Sequence, residues 1–345
     1  MTSPSSLTLP IYFVKAVLKN IPPESNEWHK LLDDARINPQ LLKLSNDRTR
    51  VSIEQFARLQ ANTMSLLNDE MLGYCDRALP VGCWDMMLHA CIHSHTLGEF
   101  AQRYCQFYNL LTWNLRVELK QNTNNIEYIL RPKNNHSLDP YVYELCLHNT
   151  HRLFTWIIGH YVAIESVKLS YSPPEHASVY TILFSNAPVH FNSPYCGLVF
   201  QNDILSSPVI QNHASLRKFL RHPAYELIMV AIESESWSSK IQSIIGKNIS
   251  TAPSFDILAE QLGIHPQTLR RRLADERTTY RNIKNHLRRD VAIYYLAKPG
   301  MSLEEASERS GFSETSSFFR AFKNWTGLTP CEYRKESVGD HDQIP

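Results

Sequence analysis

With 345 residues, 43% of them hydrophobic and 20% charged, the chain has an ordinary globular profile and enough length for two or three cores. No charged segment leading into an apolar run opens it, and its longest apolar stretches, such as 154–164, are too short to span a bilayer, so a soluble cytoplasmic protein is expected. The net charge of +1 conceals a local surplus: residues 251–336 hold 14 Lys and Arg against 11 Asp and Glu, with Arg270, Arg271 and Arg272 consecutive and Arg288 and Arg289 adjacent. Seven cysteines at 75, 83, 91, 105, 146, 196 and 331 are an odd number without a disulfide framework, and read as reduced thiols.

Helical periodicity runs from Pro10 to Asn20 and stops at Pro22-Pro23. Residues Asn26–Ile37 and Ser52–Leu67 follow as amphipathic helices, with Asn26 and Ser52 as caps. Gly82–His93 and Thr96–Leu111 continue the pattern. Leu115–Lys120 and Ile126–Arg131 flank a polar turn as a hairpin, and Asp139-Pro140 opens a long helix through Trp156. The β-branched and aromatic runs Val167–Tyr171 and Val179–Phe184 predict strands, and the Pro-, Asn- and Ser-rich stretch Asn186–Pro208 predicts a surface wrap. From Ser215 onward the pattern is helical.

Self-comparison exposes a repeat. FDILAEQLGIHPQTLRRRL (255–273) aligns with LEEASERSGFSETSSFFRAF (303–322) on Gly263 and Gly311, an offset of 48. Each copy places apolar residues at helical spacing, then a glycine in a turn, then a second helix with an apolar pair at i, i+4: Leu269/Leu273 and Phe318/Phe322. Glycine tolerates the positive φ that such a turn requires. Ser307 and Ser310 stand where the first copy has Ala259 and Leu262, which predicts weaker apolar burial in the second.

The stretch from Ser236 to Lys335 resembles the DNA-binding domain of AraC/XylS regulators. The markers are Gly311-Phe312, Phe318, Arg320, Phe322-Lys323, Trp325, Gly327, Pro330 and Tyr333-Arg334, and HLRRDVAIYYL (286–296) resembles the helix joining the two units. The N-terminal segments HTLGEFAQRYCQFYNLL and NAPVHFNSPYCGLVFQNDILSSPV are more loosely similar to the effector-type domain of ornithine-responsive and virulence- or quorum-related members. The resemblance implies an α+β effector and dimerisation domain (1–210), a linker (211–235), an all-α DNA-binding domain with two helix-turn-helix units (236–336) and a tail (337–345). Arg277, where relatives carry glycine, and Phe319, where they carry a small or polar residue, depart from the pattern.

The recognition helices then fall at Pro266–Asp275 and Glu314–Asn324, joined by a helix over about Tyr280–Ala297. Gln267, Arg270 and Arg271 in the first, and Thr315, Ser316 and Arg320 in the second, are the expected base-reading residues, since Arg and Gln bind guanine and adenine edges bidentately in the major groove. Arg320 has a competing role at a phosphate, and Phe319 either touches a thymine methyl or packs inside. Arg272, Arg288, Arg289 and Lys323 are expected at phosphates. The partners implied are double-stranded operator DNA, RNA polymerase, a small-molecule effector and a second copy of the chain, with no membrane partner.

The His/Cys-rich segment Cys83, His89, Cys91, His93, His95, Cys105 matches no zinc spacing and is interleaved with apolar residues of a buried helix, so no metal or other cofactor is expected. No P-loop, nucleophile elbow or dinucleotide fingerprint occurs, which sets an enzyme aside. An effector pocket is expected among Trp84, Tyr104, Phe107, Trp113, Tyr143 and Trp156. The alternative is an effector-independent regulator whose N-terminal domain serves dimerisation or protein contacts.

Overall fold

The structure, a computed structural model, describes residues 8–43, 49–111, 114–133, 138–223, 226–227, 237–276, 278–298 and 300–338. It divides into two compact units: Met1–Asn62 together with Glu235–Pro345, and Thr63–Ser234. This partition differs from a division in chain order at 210 and 236, because the first 62 residues pack with the C-terminal part.

In the first unit, strand β1 (Thr8–Pro10) pairs antiparallel with β2 (Arg50–Ser52) around helices α1 (Ile11–Leu18), α2 (Asn26–Ala35) and α3 (Gln40–Lys43). Helix α4 (Ile53–Leu67) starts at a reciprocal cap: Ser52 Oγ accepts from Gln55 N at 3.2 Å, and Gln55 Oε1 accepts from Ser52 N at 3.0 Å. The cap of α2 is Ser25, whose Oγ accepts from Trp28 N, one residue before the Asn26 expected for it. Val14, Val17, Leu32, Val51 and Leu59 are fully buried here.

The second unit is α+β. Helices α5 (Cys83–Cys91) and α6 (Leu97–Leu110) lead to the hairpin β3 (Leu115–Gln121) and β4 (Asn125–Pro132), paired antiparallel from Leu115↔Pro132 to Gln121↔Ile126. Helix α7 (Pro140–Ile158) begins where Asp139 Oδ1 accepts from Tyr141 N at 2.9 Å, with Pro140 at the first position, where a missing N–H is harmless. Strand β5 (Ser166–Lys168), helix α8 (Tyr180–Leu183), strands β6 (Val189–His190) and β7 (Cys196–Gln201), and helix α9 (His213–Phe219) complete it. The sheet order is β3-β4-β7-β5-β6, with only β5 and β6 parallel. Phe100, Tyr104, Tyr128, Phe154 and Phe200, from α6, β4, α7 and β7, form its aromatic core.

Two expectations are corrected. The run Val179–Phe184, expected as a strand, is a 3-10 turn leading into α8. Tyr180, Leu183 and Phe184 recur at helical spacing and are all buried, so packing of that face outweighs β-propensity. The stretch 186–208, expected as a surface wrap, contains β6 and the sheet's central strand β7, whose residues Cys196–Phe200 are buried. The Pro- and Asn-rich flanks of β7 hid a five-residue apolar run, which is what a strand covered on both faces looks like.

The remainder of the first unit is helical: α10 (Trp237–Ile245), α11 (Phe255–Gln261), α12 (Pro266–Asp275), α13 (Tyr280–Leu296), α14 (Leu303–Arg309), α15 (Thr315–Thr326) and α16 (Pro330–Val338). Ile241, Leu258, Leu269, Leu273 and Ile283 belong to one apolar cluster, and Ile293, Ala306, Phe318, Phe322 and Tyr333 to another. Helix α13 contributes to both, which makes it the shared wall of the two halves.

Candidate nucleic-acid interface

Each half is a pair of helices around a glycine turn. Ser254 caps α11 by accepting from Ile257 N, Gly263 takes φ +67°, and His265 with Pro266 opens α12. In the second half Ser302 and Glu305 form a reciprocal cap on α14, Gly311 takes φ +80°, and α15 follows. The two glycines differ in surroundings. A Cβ on Gly263 meets nothing within 4 Å, whereas one on Gly311 falls 2.9 Å from Ile249 O.

With Leu269 and Leu273 turned inward, Gln267, Arg270 and Arg271 are exposed on α12. With Phe318 and Phe322 inward, Ser316 and Arg320 are exposed on α15, and Thr315 is half-buried. Arg270 lies over the Phe255 ring at 5.4 Å, and Arg320 Nη2 is 3.5 Å from Ser317 Oγ. Phe319 is half-buried against the second cluster, edge-on to Phe318 at 6.1 Å. Arg277 lies outside the described residues. Ser307 and Ser310 are both buried, and Ser310 donates its hydroxyl to Ala306 O, which removes the penalty of an unpaired buried hydroxyl.

The basic residues expected at phosphates separate into two groups. Lys323 is exposed, and Arg272 is half-buried with its guanidinium 4.3 Å from the Trp237 ring. Arg288 and Arg289 are engaged internally. Arg288 Nη2 donates to Gly311 O at 2.7 Å and stacks on Phe312, and burial pulls its guanidinium below the ordinary arginine range. Arg289 Nε bonds Asp290 Oδ1 at 3.0 Å.

Sequence reasoning did not find the polar chain that ties the first residues to α13. Arg50 Nε and Nη2 donate to Thr8 Oγ1 and O, each at 2.7 Å, and Thr8 Oγ1 donates to Asp290 Oδ1 at 2.6 Å. Tyr333 Oη donates to Arg50 O at 2.6 Å. Burial, and after it the nearby Arg289, push the Arg50 guanidinium down to about 9. The partners lie up to 283 positions apart in sequence, and no local motif announces them. Glu276 likewise accepts from the backbone N–H groups of Trp237 and Ser238 at 2.7 and 2.9 Å, closing the open end of α10.

The aromatic residues expected around an effector are dispersed within the second unit. Tyr104 sits in the aromatic core with its hydroxyl 3.2 Å from Thr150 Oγ1. Trp84 and Trp156 meet at Phe219, at ring separations of 5.9 and 4.3 Å. Tyr143 lies beside Tyr171 and Phe107 beside Tyr108, while Trp113 is outside the described residues. His89 is 3.2 Å from Asp85, and its ring lies 5.2 Å from that of His213. Among the described residues no three His, Cys, Asp or Glu side chains are grouped to hold a metal, and no helix is long and apolar enough to cross a membrane.

An α+β unit followed in the chain by paired helix-turn-helix units on one connecting helix is the architecture of a DNA-binding transcription regulator. The family model described as the arabinose-binding domain of AraC transcription regulator, N-term, matches residues 27–209, and a helix-turn-helix domain model matches residues 258–336. The chain belongs to the AraC family of transcription regulators. It is 24% identical over 331 residues to the ornithine utilization regulator of Pseudomonas aeruginosa, covering 95% of this chain and 96% of that one. It is 29% identical over 147 residues to the regulator VirS of Mycobacterium tuberculosis, covering 42% and 43%. The crystal structure of the regulator CdpR from Pseudomonas aeruginosa aligns with 94% of this chain and 96% of its own, at 19% identity and a TM-score of 0.32.

Proposed function

We propose that this chain is a sequence-specific transcription activator that reads DNA through α12 and α15 and is controlled by a small molecule bound in the unit Thr63–Ser234. The observation that carries the DNA half is the exposure of Gln267, Arg270 and Arg271 on α12, and of Ser316 and Arg320 on α15, opposite the buried pairs Leu269/Leu273 and Phe318/Phe322. Helix α13, at 17 residues, is about 25 Å long, so the two reading helices suit successive major grooves of one asymmetric site. Lys323 and Arg272 serve phosphates, whereas Arg288 and Arg289 hold the domain together from inside. RNA polymerase is the partner on the promoter side, and a second copy of the chain occupies a neighbouring site.

The effector half is supported by the arabinose-binding-type family match over residues 27–209 and by the near full-length relative named for ornithine utilization. A second reading, an effector-independent regulator with a dimerising N-terminal domain, draws on the dense packing of Tyr104 in the aromatic core. Selection of bound sequences from a randomised pool, followed by mobility-shift titration, tests the DNA half. Arg271→Ala should cost about 1–3 kcal/mol of specific binding and relax preference at one base pair. A loss of the same size on every sequence would move Arg271 to the backbone. L-ornithine and related diamino acids, added to the titration, test the effector half through a change in operator affinity.

A further inference from the structure

Helix α7 carries a polar stripe at i, i+4, i+8: Glu144, His148 and Arg152. The segment His176–Ser185 runs along it contact by contact. Glu144 Oε1 accepts from Tyr180 Oη at 2.5 Å and lies 3.0 Å from His176 Nε2. His148 Nδ1 donates to Leu183 O at 3.1 Å. Arg152 Nη2 reaches Ser185 Oγ only at 3.5 Å. The first two positions have close partners; the third does not. Arg152 is 4% exposed, its Nε and Nη1 are buried with no hydrogen-bond partner, and among the described residues no carboxylate forms an ion pair with it.

A buried guanidinium without a counter-ion opposes folding, because desolvation is not offset by a partner. The neighbouring imidazoles do not help. Burial, then the Arg152 charge, push His148 down to about 3 and His151 well below its ordinary value, so both are neutral at physiological pH. Burial pulls Arg152 down to about 10, opposed by Tyr161, and among the described residues no carboxylate adds to that opposition. The turn beside it holds two consecutive non-glycine residues at positive φ, Ser185 at +53° and Asn186 at +63°, a backbone state that needs outside support.

We infer that Arg152 is the anchor of a carboxylate ligand, received as the turn 183–187 yields and held by the Nε–Nη2 edge of its guanidinium, where Nε is unpartnered and Nη2 has only the 3.5 Å contact to Ser185. Along that edge the Nε–H and one Nη2–H run parallel, the geometry that pairs with the two oxygens of a carboxylate. This rests on the proposed effector control and gives the effector its chemical class: a small organic acid.

The test uses the full chain and its Arg152→Met variant, which keeps bulk and removes charge. Acetate, butanoate and benzoate are titrated by calorimetry against acetamide, butanamide and benzamide, and against inorganic phosphate and chloride at equal ionic strength. The carboxylates should bind wild type, the amides should not, and Arg152→Met should weaken binding by about ten- to a hundredfold. Without added acid, Arg152→Met should melt at a higher temperature than wild type, since it loses an uncompensated buried charge. A lower melting temperature for the variant, undiminished carboxylate binding by it, binding of phosphate alone, or no binding of any carboxylate to wild type overturns the assignment. Carboxylate binding with unchanged operator affinity would overturn effector control and leave this site standing. Operator affinity that responds to another molecule while no carboxylate binds would do the reverse.

Discussion

Arg50→Ala should loosen the helix that joins the two helix-turn-helix units, although Arg50 lies some 240 residues before it in the chain. The side chain makes two bonds of 2.7 Å to Thr8, and Thr8 in turn donates to Asp290 on α13. Bonds from a charged donor contribute about 1.5–3 kcal/mol each, so the gross loss is about 3–6 kcal/mol. Burial and the Arg289 charge already disfavour the guanidinium, which offsets part of that, leaving a net cost of about 2–4 kcal/mol. Tyr333→Phe removes one bond to Arg50 O and should cost only about 1 kcal/mol. Native-state hydrogen exchange reads both: amides of α13 should exchange roughly 30- to 1,000-fold faster in Arg50→Ala and about fivefold faster in Tyr333→Phe. A fragment of residues 236–345 should behave like Arg50→Ala or worse. If α13 were equally protected in the fragment, the variant and the full chain, the first residues would be mere passengers on this unit.

Gly311→Ala should be the more harmful of the two turn substitutions, by about 1 kcal/mol or more in urea unfolding. Both turns need positive φ, but only at Gly311 does the new methyl group also meet backbone, at 2.9 Å from Ile249 O; equal costs would refute the role of that contact. Acid should destabilise the second unit before carboxylates titrate. His148 has a folded value of about 3 against about 6.5 unfolded, so between these the unfolded chain holds the extra proton and stability falls with pH, by about 1.4 kcal/mol per unit. His151, also lowered, adds a similar slope in the same direction. His148→Asn should remove one such increment from the pH dependence of the melting temperature, and an unchanged slope would count against burial as the cause.

The helical half of this protein could be read from its residues because its signals are local. Gly263 and Gly311, the pairs Leu269/Leu273 and Phe318/Phe322, and Pro266 at the first position of its helix all act within a few positions, and the helices over Pro266–Asp275 and Tyr280–Leu296 lie where periodicity puts them. Exposure of Arg271 and Ser316 follows from the same helical period. Where neighbours along the chain were a poor guide, the residues misled: Val179–Phe184 has strand composition but buries a helical face, and β7 is an apolar run framed by loop-like residues. The surroundings of Arg50, Arg152, Arg288 and Arg289 were set only by tertiary structure. A charged side chain looks the same in sequence whether it faces water, DNA or Asp290, and what separates these cases is desolvation and partners brought from far along the chain. In the helical half, sequence therefore determined which helices form and which face each hides, while the fold determined which basic side chains are bonded internally and which are exposed.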